Sequence, residues 1–150
     1  MSPSRLLATA LLMALGPGAF RSLGAQTIAT SGDPAALVVR SAVAGADLDP
    51  AVDAGTTYTV TTAAPNQRIV ARLDAPLPPG VTITIRCAAP SGAASRGDVT
   101  LTSTDQEVVG PIPTIGTYSA LAIVYKLSAT VKAGAVPTTA RSVTMSVAGP

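Results

Sequence analysis

Histidine and tryptophan are absent from this 150-residue chain, and cysteine occurs once, as Cys87. Without histidine there is no imidazole base, no Ser–His pair and no His-containing zinc site. A single thiol with no histidine to activate it is a poor nucleophile, and it has no second cysteine for an intrachain disulfide. Phenylalanine also occurs once, at Phe20, and the remaining aromatics are Tyr58, Tyr118 and Tyr125. A core must therefore come from Val, Ile, Leu, Ala and Met. Each large member of that set contributes about 1.5–3 kcal/mol when buried. Lysine is confined to Lys126 and Lys132, while Ala, Pro, Gly and Arg abound, a usage that fits a GC-rich bacterial genome.

What is present begins with an export signal. Residues 1–5 carry one positive charge, and residues 6–15 (LLATALLMAL) form an apolar run broken by Gly16-Pro17-Gly18. Small residues lead to Gly24-Ala25, a workable cleavage site before Gln26, although Leu23 departs from the A-x-A ideal. The run is shorter than the roughly 20 residues a membrane helix needs. The expectation is a signal peptide at 1–25, a flexible arm at 26–34 and one domain at 35–150. The arm is expected because its residues are small and polar. Removing Arg5 and Arg21 with the leader leaves eight basic residues against eight acidic ones. A neutral surface with scattered arginines has no footprint for nucleic acid or anionic lipid.

From Ala35 onward the apolar period is two. Val81, Ile83, Ile85 and Cys87 alternate with Thr82, Thr84 and Arg86, the mark of a strand with one buried face. Tyr58-Val60-Thr62, Ile69-Ala71-Leu73 and Val143-Met145-Val147 repeat the pattern. Turn formers punctuate the runs at Asp49-Pro50, Pro65-Asn66, 76–80, 90–92, 111–116 and 133–137. The spacing predicts strands at 36–43, 56–62, 67–74, 80–87, 97–103, 106–110, 117–131 and 139–148, with no helix. In the long run, Leu121, Ile123, Tyr125, Leu127, Ala129 and Val131 are expected on one face. The fold class is all-β: an immunoglobulin-like β-sandwich of seven to eight antiparallel strands.

Several short patterns invite a functional reading. Asp47, Asp49 and Asp53 superficially resemble a calcium loop, but the EF-hand pattern requires an oxygen ligand, a Gly and a Glu where this run lacks them. Asp residues flanking Pro50 are ordinary turn chemistry. Asp105 and Glu107 sit two apart on a strand, an arrangement open to acid/base work only if burial separates their pKa values. Arg96-Gly97-Asp98 spells an adhesive tripeptide, and Gly-Asp entering a strand is also common turn material. Cys87 falls on the apolar face of its strand, where a small hydrophobe fits. No catalytic, cofactor-binding or metal-binding residue is assigned.

Residues 106–112 (QEVVGPI), Gly116-Thr117-Tyr118, residues 121–129 (LAIVYKLSA) and 142–147 (SVTMSV) together resemble small secreted bacterial β-sandwich surface proteins of the pilin-like and spore-coat-protein-U-like kind. The likeness covers the C-terminal third. It implies a closing hairpin of two strands and a subunit of a surface assembly. Members of that group usually hold a disulfide, which Cys87 alone does not allow, and residues 27–34 lack the sustained alternation of a donor strand.

The expected function is a secreted or cell-surface structural or interaction protein without catalytic activity, self-associating or joining another surface protein through sheet edges. The rival is an extracytoplasmic module binding a ligand or glycan, for which three tyrosines supply few stacking platforms. Exposure of Tyr58 and Tyr118 on one surface favours the rival, and burial of the tyrosines disfavours it. Neither nucleic acid, a cofactor nor membrane insertion of the mature chain is expected. Its place is the periplasm, the outer surface or the medium.

Overall fold

A computed structural model describes residues 25–39 and 46–150. The leader and part of the first expected strand fall outside those residues. The described chain contains eight strands: β1 Thr27–Thr30, β2 Ala51–Thr62, β3 Gln67–Leu73, β4 Val81–Cys87, β5 Val99–Thr100, β6 Gln106–Ile112, β7 Gly116–Ala129 and β8 Val143–Ala148. They form two antiparallel sheets. One has the order β1-β2-β7-β4-β5, the other β6-β3-β8.

Period-two alternation builds the interior between them. β2 turns Thr56, Tyr58, Val60 and Thr62 inward; β3 turns Gln67, Ile69, Ala71 and Leu73. Ile85 and Cys87 of β4, Val108 and Ile112 of β6, and Ile123 and Tyr125 of β7 complete one shared core. Gln67 is the polar member at its rim. Its Oε1 accepts hydrogen bonds from the Ala63 and Ala64 N–H groups at 2.9 and 3.4 Å, and its Nε2 donates to Gln26. It thereby ties the β2–β3 turn, in which Asn66 adopts a left-handed φ of 62°, to the chain leading into β1.

β7 is not one uninterrupted ladder. Tyr58 faces Leu121 and Val60 faces Tyr118, so three β7 steps oppose two on β2. The extra residue is a bulge at Ser119-Ala120, with Ala120 at φ 55°. It inverts the alternation, and Tyr118 and Leu121 both pack on the core.

Several sequence expectations need correction. Residues 26–34, expected as a flexible arm, contain β1, which pairs with β2 from Thr27↔Thr61 to Thr30↔Tyr58. Residues 36–39 are not strand, and 40–43 lie outside the described residues. The strand expected at 97–103 shrinks to Val99–Thr100, because the chain there passes between sheets. Val131, expected inside, is 64% exposed, since a 3-10 turn at Val131–Ala133 ends β7 first.

Residues 93–97 close one side of the sandwich. Ser95 bridges Val109, Arg96 N–H donates to the Val108 carbonyl at 3.0 Å, and Gly110 N–H donates to the Ala94 carbonyl at 2.7 Å. The chain then returns to β4 as β5. On the opposite side stand β1 and β8, the edges of the two sheets, with Gln26 Nε2 donating to the Val147 carbonyl at 3.4 Å.

Candidate functional site

Two of the charged motifs singled out in the sequence are paired within the fold. Arg96 pairs with Glu107 on β6, whereas Asp98 pairs with Arg86 of β4 at 2.7 Å and Lys126 of β7 at 3.3 Å. The two charged ends of Arg96-Gly97-Asp98 thus pair with opposite sheets. The Arg86 hydrogen bond, then that of Lys126, holds the Asp98 carboxyl below the usual carboxylate range. The Asp105–Glu107 pair is likewise neutralised from outside, by Arg72 at 3.8 Å and Arg68 at 3.5 Å.

Among the described residues, no three His, Cys, Asp or Glu side chains come together as a metal site. Asp47 and Asp49 are exposed, while Asp53 lies on β2 opposite Tyr125 and accepts a hydrogen bond from Thr56 at 3.4 Å. Cys87 is fully buried opposite Ile123, and burial pushes its thiol up to about 12. That is the environment of an inert structural thiol.

Two of the three tyrosines are buried and offer no stacking surface. Tyr58 is 1% and Tyr125 5% exposed, and Tyr118 is half-buried with its hydroxyl on Thr114. The Tyr58 hydroxyl donates to the Ala88 carbonyl at the end of β4. Burial, then the neighbouring Cys87, raises Tyr58 well above the ordinary tyrosine value; the same causes, joined by Asp53 and Asp33, push Tyr125 up to about 12.

Two other features stand out, and neither is visible as a motif. The first is the free edge of β8. The Ser142 carbonyl accepts from Asp74 N–H at 3.0 Å, so even-numbered residues bond toward β3. In an antiparallel ladder the alternate residues then turn their N–H and C=O away. Val143, Met145 and Val147 are those residues, and Gln26 reaches the Val147 carbonyl from that outer side. No other strand among the described residues pairs with this edge.

The remaining edges are blunted in the ways proteins use against unwanted pairing. β1 has four residues and runs into Gly32 and Pro34; β5 has two. β6 carries Pro111 and is covered by residues 94–96. β8 has neither charge nor proline within its six residues.

The second feature is an apolar groove of about 1080 Å³ between the sheets on the β8 side. Ile28, Leu37, Val81, Ile83, Leu127 and Met145 line it, and Arg141 stands in its wall. Arg141 donates to the Ala140 and Pro76 carbonyls at 3.0 and 3.3 Å, but its Nε is buried without a partner. No described carboxylate lies within ion-pair distance of it.

No protein-family model, curated protein or solved structure matches this chain. The likeness to pilin-like and spore-coat-U-like proteins therefore rests on the residue pattern alone. Among the described residues, no helix is long and apolar enough to cross a membrane.

Proposed function

We propose that this protein is an exported, non-catalytic interaction domain that joins other chains by strand addition at β8. On this reading the fold is an immunoglobulin-like sandwich, and the protein is a subunit of a bacterial cell-surface assembly, as its pilin-like C-terminal third implies. The observation that carries the reading is the contrast between β8 and the other edges. An uncharged, proline-free edge with outward backbone groups is a template for an added strand. The apolar run at 6–15 and the break before Gln26 support export. The pairing of the Arg96 and Asp98 charges within the fold speaks against an adhesive tripeptide.

The test has two parts. Expressed from its whole sequence in a bacterial host, the protein is expected outside the cytoplasm with Gln26 as its first residue. Cytoplasmic retention with residue 1 intact would refute export. A synthetic peptide of sequence SVTMSVAG is expected to slow amide exchange at Val143 and Met145. Exchange that stays fast at both sites, with and without the peptide, would refute strand addition.

The groove favours a second reading, a module for a single-chain amphiphile with an anionic head. Its apolar wall would take the chain, and Arg141, with a buried unpartnered Nε, would take the head. Burial of Tyr58 and Tyr125 argues against the glycan version. Dodecanoate should raise the melting temperature of the wild type but not of Arg141→Ala; equal shifts in both would refute it.

A further inference from the structure

β8 carries more information than an open edge. Its central residues, Val143-Thr144-Met145-Ser146-Val147, are symmetric about Met145 in chemical type: valine at both ends, a hydroxyl residue on each side of the centre. The outward backbone groups belong to Val143, Met145 and Val147, which share that centre. The side chains divide the same way. Val143, Met145 and Val147 pack on the core, and Thr144 and Ser146 are exposed.

We infer that the strand added at β8 is β8 of a second copy, paired antiparallel about a two-fold axis through Met145. The inference rests on the reading of β8 as a strand-addition edge and names its occupant. An isologous contact requires a surface complementary to itself. In this register Met145 faces Met145 of the second copy, and Val143 faces Val147. Each of these pairs would exchange two backbone hydrogen bonds, because the residues concerned carry the free N–H and C=O groups. Thr144 faces Ser146 on the exposed side, a hydroxyl pair of the sort that stabilises neighbouring strands. A register one residue away would oppose outward groups to inward ones and lose the bonds.

Two registers displaced by two residues keep the hydrogen-bond phase, but they place Val143 or Val147 opposite Met145 and set Thr144 against Thr144 or Ser146 against Ser146 instead of Thr144 against Ser146. The three-stranded sheet would become a continuous six-stranded one, in the order β6-β3-β8-β8-β3-β6. Charge does not oppose the approach, because no ionisable side chain lies between Ser142 and Ala148. The Gln26 side chain on the Val147 carbonyl is exposed, and that oxygen has a second lone pair for the incoming N–H.

The register can be read chemically. Thr144 and the facing Ser146 would form a non-hydrogen-bonded pair with Cα atoms about 4.5 Å apart, inside disulfide range. Mixing Thr144→Cys with Ser146→Cys under mild oxidation should give a heterodimer by mass, while each variant alone should give far less. Sedimentation should show a wild-type dimer. Thr144→Lys/Ser146→Lys, which sets lysines opposite each other at exposed positions, should weaken that dimer about tenfold or more without lowering its melting temperature.

Efficient self-crosslinking of Thr144→Cys alone, or a wild type that stays monomeric at every concentration, would overturn the inference. The SVTMSVAG peptide separates the two levels. If it protects Val143 and Met145 in a monomeric wild type, the edge still adds strands and only the second copy is wrong. If it protects neither, the strand-addition reading fails as well.

Discussion

Alkali should unfold this domain well before it unfolds an ordinary sandwich, and the cause is three buried acids in one cluster. Cys87 moves from a usual value of 9.0 to about 12, Tyr125 from 10.0 to about 12, and Tyr58 is also raised. Between pH 9 and 12 the unfolded chain releases these protons and the folded chain keeps them. The native state then binds more protons, so stability is fully present below about 9 and falls as pH rises toward 12. At about 1.4 kcal/mol per pH unit, Cys87 accounts for about 4 kcal/mol and Tyr125 for about 3. Together they approach the entire stability of a typical domain, about 5–15 kcal/mol.

The assay is a denaturant melt followed by circular dichroism at a series of pH values from about 7 to 11, with tyrosinate absorbance read in parallel. The unfolding free energy should be flat at neutral pH and fall steeply above pH 10, with tyrosinate appearing together with loss of structure. Cys87→Ala should lose about 1 kcal/mol at neutral pH from a small cavity. It should nevertheless show a shallower alkaline slope, because it removes one of the buried protons that the folded chain keeps and the unfolded chain releases. If Tyr58 and Tyr125 titrate near pH 10 with the fold intact, the reasoning is wrong.

Further changes test the local geometry. Gly80 has φ 81°, and a Cβ there would lie 2.9 Å from both Ala133 N and Thr130 Oγ1, so Gly80→Ala should cost about 2 kcal/mol or more in a thermal melt. Gln67→Ala strands the Ala63 and Ala64 N–H groups in a part-buried turn and should cost about 1–3 kcal/mol by urea unfolding. Ala120 occupies a left-handed conformation that glycine accepts freely. Ala120→Gly should therefore be neutral or stabilise by up to about 1 kcal/mol, and a clear loss of stability would contradict the bulge.

The alternation was legible because side-chain direction along a strand is a local property. Ile83-Ile85-Cys87, Tyr58-Val60-Thr62 and Ile69-Ala71-Leu73 face the core as their spacing implies. Apolar content also indicated strand at 36–39, where the structure has none, because a strand exists only if a neighbouring edge accepts its hydrogen bonds. Ala120 is ordinary in sequence, yet it occupies the bulge that brings Tyr118 and Leu121 onto the same face.

By itself the sequence determined the all-β class, the candidate leader, the solvated and buried faces, and the absence of histidine chemistry. Only the tertiary structure decided which charges meet. Arg96 and Asp98, adjacent to one glycine, are drawn to opposite sheets because Glu107 and Arg86 lie there. It also decided which edge is left over. Strand order follows from long-range backbone hydrogen bonds, which carry little residue identity, so nothing in Val-Thr-Met-Ser-Val announces that β8 lies at the rim with β3 on one side alone.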